Sequence, residues 1–287
     1  MALLSPELLA RLTRLRLGSR RRVPGAGIGS RPSPRRGQSQ EFADHRPYVP
    51  GDDLRFLDWH VFARLDALWV KLFEEETDRV VQLLVDRSAS MEGEKLDAAR
   101  RLAAAIGWIA LGNTDRVLLA GLEARVAEYL PAGRSRRHAP ALFHALEALG
   151  AGGNTALSDA IAALPRQRGG SMALLFTDLL SPEGHEAPLR RLVATGAEVH
   201  LFHVVAPWEL RPELRGEVML VDSETGEEVP VSLDDAALDQ HQARVLAWLE
   251  DVETTARSLG VSYHRVSTAA PVEALVLQTL RQQGLIL

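Results

Sequence analysis

Two stretches of the chain, residues 79–86 and 172–178, are almost continuously apolar and end in an aspartate. Short apolar runs without polar alternation are typical of strands buried on both faces of a parallel sheet. Apolar spacing and turn residues predict further strands at 116–121, 198–205 and 262–266, and helices at 94–111, 138–149, 186–194 and 236–259. This alternation predicts an α/β fold with a doubly wound, mainly parallel sheet and helices on both faces.

The segments outside this alternation predict a domain organisation of five pieces. Residues 1–40 are basic and rich in Gly, Pro and Ser, so we interpret them as a flexible arm or linker. Residues 41–78 and a β-hairpin insertion at 207–234 predict a smaller β-rich subdomain. The α/β core then comprises residues 79–206 and is completed by residues 235–287.

The formal net charge of −5 is unevenly distributed along the chain. Residues 1–40 carry nine Arg and one acid, a net charge of +8, so the remainder carries −13. We interpret the arm as a solvated tail lying on its own acidic domain. A nucleic-acid-binding arm is the alternative, although the arm has no aromatic residue for base stacking.

Composition also bounds the chemistry and the cellular location. The chain has no cysteine, which excludes disulfides and thiolate metal sites. No apolar run approaches the ~18 residues needed to span a bilayer, so we expect no membrane span. The first residues lack the pattern of a signal peptide, and we therefore expect a cytoplasmic protein.

Hydroxyl and carboxylate side chains follow the predicted strands where ligands bind in open α/β sheets. Asp86, Ser88 and Ser90 follow the first buried strand, Thr155 lies in a Gly-rich loop, and Asp178 ends the second buried strand. Oxygen ligands of this kind suit a hard cation such as Mg²⁺. The alternative is an ordinary turn at the strand end, in which Ser90 caps the next helix.

This pattern resembles the metal-ion-dependent adhesion site of von Willebrand factor A domains. The matching residues are Asp86, Ser88, Ser90, Thr155 and Asp178. The resemblance implies that they hold Mg²⁺ or Mn²⁺, directly or through water. It also implies that an open coordination position accepts a carboxylate from a partner protein. Many members of that family have Gly after the last aspartate, where this chain has Leu179.

A narrower resemblance lies upstream, in the Gly-Asp-Asp-x-Arg-x-x-Asp-Trp run at residues 51–59. Together with residues 45–48 and the Asp-Ser-Glu-Thr-Gly hairpin at 222–226, it is similar to the domain-of-unknown-function 58 family, which is von Willebrand factor A-like. That family is commonly associated with MoxR-type AAA+ ATPases. The resemblance thus implies such an ATPase as partner in a chaperone-like or assembly role.

The upstream run also carries a dense set of charges. Its members are three acids, three guanidinium groups and a tryptophan: Arg46, Asp52, Asp53, Arg55, Asp58, Trp59 and Arg64. We interpret them as a buried ion-pair network that clamps this segment to the sheet, because Arg favours bidentate pairing with carboxylates. A second recognition surface is the alternative.

Enzymatic motifs are missing from the strand ends. No Gly-x-Ser-x-Gly elbow and no phosphate-binding loop is present, so we expect a binding protein without catalytic residues. A metal-dependent hydrolase is the remaining enzymatic alternative, with Glu92 or Glu94 as its general base. We interpret His200 and His203 as packing or surface residues.

Overall fold

A computed structural model describes residues 3–19, 42–73, 79–153, 156–167, 170–223 and 225–287. The chain divides into two compact units, one of Met1–Arg22 with Arg79–Leu287 and the other of Val23–Asp78. The boundary between residues 78 and 79 coincides with the one predicted from the sequence.

A six-stranded sheet forms the centre of the larger unit. Its strands are β3 (Val80–Asp86), β4 (Arg116–Leu122), β5 (Val126–Arg134), β6 (Ser171–Thr177), β7 (Glu198–Val205) and β10 (Ser262–Ser267). Their order is β10-β7-β6-β3-β4-β5, and every neighbouring pair is parallel except β4 and β5. The fully buried β3 and β6 lie at the centre, as their continuous apolar runs predicted.

Helices cover both faces of this sheet, which confirms the predicted doubly wound α/β fold. One face carries α1 (Pro6–Leu12), α3 (Glu94–Gly112), α4 (Ala139–Ala148) and a C-terminal segment of α9 (Val272–Ala274), a π-helical turn (Leu275–Thr279) and α10 (Leu280–Gln282). The other face carries α5 (Leu157–Ala163), α6 (Glu186–Ala194) and α8 (Asp235–Ser258). Within the described ranges, no helix is both long and apolar enough to cross a membrane.

The N-terminal residues 3–19 correct the prediction of a flexible arm. Ser5 caps α1, whose Leu8 and Leu12 are buried in the main core. Leu17 then forms an isolated antiparallel bridge with Ile286. Apolar side chains repeating every fourth residue favour a helix that docks onto the core, and this burial outweighs the solvation of the Arg residues between them. The rest of the predicted arm, residues 20–40, lies outside the described residues.

The predicted β-rich subdomain is also corrected. The hairpin strands β8 (Gly216–Val221) and β9 (Glu228–Leu233) pair only with each other and belong to the larger unit, preceded by the short helix α7 (Pro207–Leu210). In the smaller unit, β1 (Phe42–Pro47) pairs with β2 (Trp69–Phe73), and helix α2 (Trp59–Leu65) lies between the two strands in sequence. The two ribbons are therefore separate sheets in different units.

Candidate metal centre

The predicted site lies where β3 and β6 end side by side. These strands are parallel neighbours, with Val85 opposite Phe176. Asp86 is the last residue of β3, and Asp178 directly follows β6. Because the carboxyl ends of parallel strands meet at one edge of the sheet, both aspartates are brought to the same crevice. The sequence prediction that these two strand ends meet is thus confirmed.

Asp86 is a fully buried carboxylate. One of its oxygens, Oδ1, accepts a hydrogen bond from the Ser88 backbone N–H at 3.0 Å, and Oδ2 accepts one from the Thr177 hydroxyl at 2.6 Å. Burial, followed by repulsion from Asp178, raises its pKa to about 6. No Lys, Arg or His of the described residues forms an ion pair with it, so among these residues its negative charge has no direct countercharge.

Ser88 and Ser90 lie in the loop between β3 and α3. Their Oγ atoms are 3.0 Å apart, on a single 3₁₀ turn formed by Ala89–Met91. Helix α3 has Gly93 at its N-cap and no side-chain capping bond, so Ser90 does not cap it. The alternative that Ser90 is a capping residue is therefore wrong, and the pairing of the two hydroxyls beside Asp86 agrees with a shared ligand.

Thr155 itself lies outside the described residues, but the loop leading to it is held against the loop that carries the serines. The Gly152 N–H donates to the Arg87 carbonyl at 2.8 Å, and the Ala89 N–H donates to the Gly153 carbonyl at 3.2 Å. The first and second predicted ligand loops thus lie side by side as far as residue 153.

Asp178 is engaged by a buried lysine that the sequence analysis did not single out. Lys95, in the first turn of α3, donates to Asp178 Oδ2 at 2.6 Å and to Glu209 Oε1 at 2.7 Å. The Lys95 and Asp178 side chains are 3% and 2% exposed, so this is a buried ion pair. Burial lowers the pKa of Lys95, but the two carboxylates outweigh it and hold the pKa above its ordinary value.

His203, on β7, forms a hydrogen bond with the backbone of the loop that carries Asp178. Its Nε2–H donates to the Asp178 carbonyl at 3.1 Å, so its Nδ1 accepts from the Tyr263 hydroxyl at 3.0 Å. Burial lowers its pKa to about 4, which keeps the imidazole neutral at physiological pH. His203 is thus a buried support of the site, and the buried His200 beside it bonds to His264.

The backbone after Asp178 has an unusual conformation. Leu179 has φ of 56°, in the left-handed region that strains a branched side chain. Its N–H donates to the Thr177 hydroxyl at 2.9 Å, and the Leu180 N–H donates to Asp178 Oδ1 at 3.1 Å. Gly adopts this conformation without strain, whereas in this chain Leu adopts it.

The donor set fits a divalent cation that prefers oxygen ligands. Asp86 supplies an uncompensated carboxylate and Ser88 and Ser90 supply hydroxyls, while Asp178 is shared with Lys95. Among the described residues no group of three or more His, Cys, Asp or Glu could hold a metal. The predicted site depends instead on hydroxyl oxygens, which such a group does not include.

The upstream charged run forms local pairs within the smaller unit. Arg46 makes a bidentate pair with Asp52, both bonds at 2.7 Å, and Arg55 pairs with Asp53 two residues away. The Arg55 side chain is 79% exposed. The prediction of a buried network that clamps this segment to the sheet is therefore wrong for these two pairs, because each pair joins residues that are close in sequence.

Asp58 has a structural role in the same unit. Its carboxylate accepts from the backbone N–H groups of His60 and Val61 at the start of α2, and lies 2.7 Å from His45 Nε2. The ring of Trp59, predicted to pack, is 62% exposed. Arg64 is exposed as well, near the end of the same helix.

The described part of the basic arm includes an arginine that is paired within the larger unit. Arg11 forms an ion pair with Glu273, a residue of the C-terminal segment. An Arg that is neutralised within the unit is less available to phosphate groups. This contact agrees with the interpretation that the arm lies on its own domain.

Comparison with known proteins places these observations in a family. The family described as protein of unknown function DUF58 matches residues 44–247. The uncharacterized protein Rv1480 of Mycobacterium tuberculosis is 30% identical over 266 residues, covering 89% of this chain and 83% of that protein.

Two solved structures show a general likeness of fold. The conserved hypothetical protein BatB from Bacteroides thetaiotaomicron is 17% identical, with a TM-score of 0.42 over 71% of this chain and 97% of that one. The von Willebrand factor type A structure from Catenulispora acidiphila is 14% identical, with a TM-score of 0.42 over 75% of this chain and 43% of that one. TM-scores this low give neither likeness any weight for function. The sequence match is the stronger finding, and this chain belongs to the family of proteins of unknown function DUF58, as its Gly-Asp-Asp-x-Arg-x-x-Asp-Trp run predicted.

Proposed function

We propose that this protein is a divalent-metal-dependent protein-binding module. Asp86, Ser88 and Ser90 would hold Mg²⁺ or Mn²⁺, with Thr155 and Asp178 completing the set. The observation that carries the proposal is the Asp86 carboxylate, which is fully buried beside two hydroxyls and has no ion-pair partner among the described residues. A buried charge of this kind is costly unless a cation compensates it.

The charges around the site favour an acidic partner. Lys95 pairs with both Asp178 and Glu209, whereas Asp86 has no ion-pair partner among the described residues. A divalent cation beside Asp86 would have one carboxylate ligand that is not shared with Lys95, and a bound cation is the largest local charge in such a site. A Glu or Asp from a partner protein is the group that complements this charge and the cation's preference for oxygen.

The family gives this partner a candidate identity. We propose a MoxR-type AAA+ ATPase as the partner, in a chaperone-like or assembly role in the cytoplasm, because the resemblance to the DUF58 family implies such an ATPase. The module would then present its metal site to an acidic residue of the ATPase. Any partner lacking such a residue would fail to use the metal.

Binding fits the site better than catalysis does. Of the two carboxylates suggested as a general base, Glu94 accepts a hydrogen bond from the Trp208 indole N–H at 2.7 Å. Glu92 is exposed on the turn that precedes α3. A general base for hydrolysis must lie within hydrogen-bond reach of a metal-bound water, and neither group is held in that role.

Metal binding is tested by calorimetry. Mg²⁺ and Mn²⁺ are titrated into the wild type, into Asp86→Asn and into the matched control Asp97→Asn, whose side chain is 59% exposed on α3. We expect heat of binding in the wild type and the control and its loss in Asp86→Asn. Binding of equal strength in Asp86→Asn would contradict the proposed site.

Partner binding is tested with the purified MoxR-type ATPase of the source organism. We expect binding in Mg²⁺ that is lost in EDTA and in Asp86→Asn. Binding that is unchanged by EDTA would show that the interface does not use the metal, and would overturn the proposed mode of recognition.

A further inference from the structure

A cleft of about 440 Å³ opens beside the candidate metal centre. Ser90 lies on its wall, together with Leu179, Leu180 and Pro182 from the loop after β6. Trp248 of α8 and His185 line further sides, and the polar residues Asp222, Ser223 and Thr225 at the tip of the β8–β9 hairpin form the remaining rim. Apolar clefts of ~300–1,000 Å³ with a few polar groups are the usual form of ligand sites.

The loop after β6 holds Leu180 at the mouth of this cleft. The neighbouring Leu179 is 3% exposed and fills the core, whereas Leu180 is 48% exposed. The left-handed backbone at Leu179 and the bond from the Leu180 N–H to Asp178 Oδ1 fix this orientation. A strained backbone that turns a large apolar side chain toward solvent costs stability, and such costs cluster at binding sites.

The position of Ser90 connects the cleft to the metal centre. Its hydroxyl is paired with that of Ser88, and the residue also lines the cleft, so a chain whose carboxylate reaches the metal would lie next to the cleft. The preference of a divalent cation for oxygen ligands selects the carboxylate, and the apolar side chains of Leu180, Pro182 and Trp248 select what lies next to it.

We infer that the cleft is a specificity pocket for an aliphatic side chain next to the acidic residue of the partner. The inference rests on the proposed function, because the metal fixes the register of the bound segment. The occupant is an extended segment in which Glu or Asp adjoins Leu, Ile or Met. Leu180 and Trp248 would contact the aliphatic side chain.

A peptide library tests this inference. Displayed seven-residue peptides with one fixed Glu and random flanking positions are selected on the full-length protein in Mg²⁺. We expect enrichment of an aliphatic residue at a constant spacing from the Glu. We expect the best peptide to bind Leu180→Ser about fivefold more weakly, since part of a buried apolar contact is lost. The matched control, Leu220→Ser, changes a hairpin leucine that is 49% exposed and does not line the cleft.

The outcomes separate the inference from the proposed function. Mg²⁺-dependent selection without any aliphatic preference, or equal weakening by Leu180→Ser and Leu220→Ser, would overturn the pocket and leave the metal site standing. Selection that survives EDTA and Asp86→Asn would overturn the proposed function. Failure to select any peptide in Mg²⁺ would count against both, because the library contains every residue next to the Glu.

Discussion

Replacing Asp86 by Asn tests whether the Asp86 carboxylate is an uncompensated negative charge in the folded protein. The side chain is fully buried, and burial together with Asp178 raises its pKa from 3.8 to about 6. Keeping the carboxylate ionised at neutral pH therefore costs the folded, metal-free protein about 3 kcal/mol. The Asn amide cannot accept from both Ser88 N–H and the Thr177 hydroxyl, and one lost hydrogen bond costs about 1 kcal/mol.

The sign of this effect depends on pH. The folded state binds the Asp86 proton more tightly than the unfolded chain, so the wild type loses stability as pH rises from 3.8 to about 6. Asp86→Asn does not undergo this loss. In EDTA near pH 7.5 we expect the variant to be more stable than the wild type by about 2 kcal/mol, and near pH 4 we expect it to be slightly less stable.

Urea unfolding followed by circular dichroism measures this difference. Adding Mg²⁺ should then stabilise the wild type and leave Asp86→Asn unchanged, because only the wild type binds the cation. The control Asp97→Asn should stay within about 0.5 kcal/mol of the wild type in all conditions. An Asp86→Asn variant that is no more stable than the wild type in EDTA near pH 7.5 would refute the argument that this charge is uncompensated.

Three further substitutions have signs that follow from the site. Lys95→Met leaves Asp178 and Glu209 without their shared cation, so we expect urea unfolding to show a loss of about 3–5 kcal/mol. Leu179→Gly relieves about 1 kcal/mol of backbone strain but deletes a buried side chain, and we expect a net loss of about 2 kcal/mol in the same assay. The pKa of His203 is lowered to about 4, so the folded wild type loses stability as pH falls from 6.5 to 4. Unfolding titrations across this range should show a smaller loss of stability in His203→Gln than in the wild type.

The sequence was sufficient for the sheet and for the ends of its strands. A strand buried on both faces needs an unbroken apolar run, and β3 and β6 have such runs. Because parallel strands end at one edge, the side chains that follow them lie near each other where the strands are neighbours, as β3 and β6 are. The sequence could therefore predict that Asp86, Ser88 and Asp178 meet only on the condition that these two strands are neighbours.

The ion pair between Lys95 and Asp178 could not be predicted in this way. Lys95 is separated by 83 residues from Asp178 and by 114 from Glu209, and an isolated Lys in a helical first turn is typical of a solvated face. Only the topology brings the end of β6 and the start of α7 to the first turn of α3. His203 was missed for the same reason, because its role depends on a carbonyl in another strand's loop.

Helix α1 could have been predicted from the sequence. Ser5 followed by Pro6 and Glu7 is a helix-start pattern, and Leu4, Leu8 and Leu12 repeat at helical spacing. Residues 1–40 were interpreted by their net charge, and this short amphipathic segment was therefore not recognised within the basic stretch. Charge averaged over forty residues does not describe the seven-residue helix.

The contacts of Asp178 imply that metal and partner depend on each other. The ammonium of Lys95 occupies one carboxylate of the predicted metal set and is itself held by Glu209. In the proposed site, a cation in the free protein would have Asp86 as its main charged ligand beside two neutral hydroxyls, which favours weak binding. A partner carboxylate would supply the second negative charge. Because linkage is reciprocal, we expect the partner to strengthen Mg²⁺ binding by the same factor by which Mg²⁺ strengthens partner binding, and calorimetry of each in the presence of the other measures both factors.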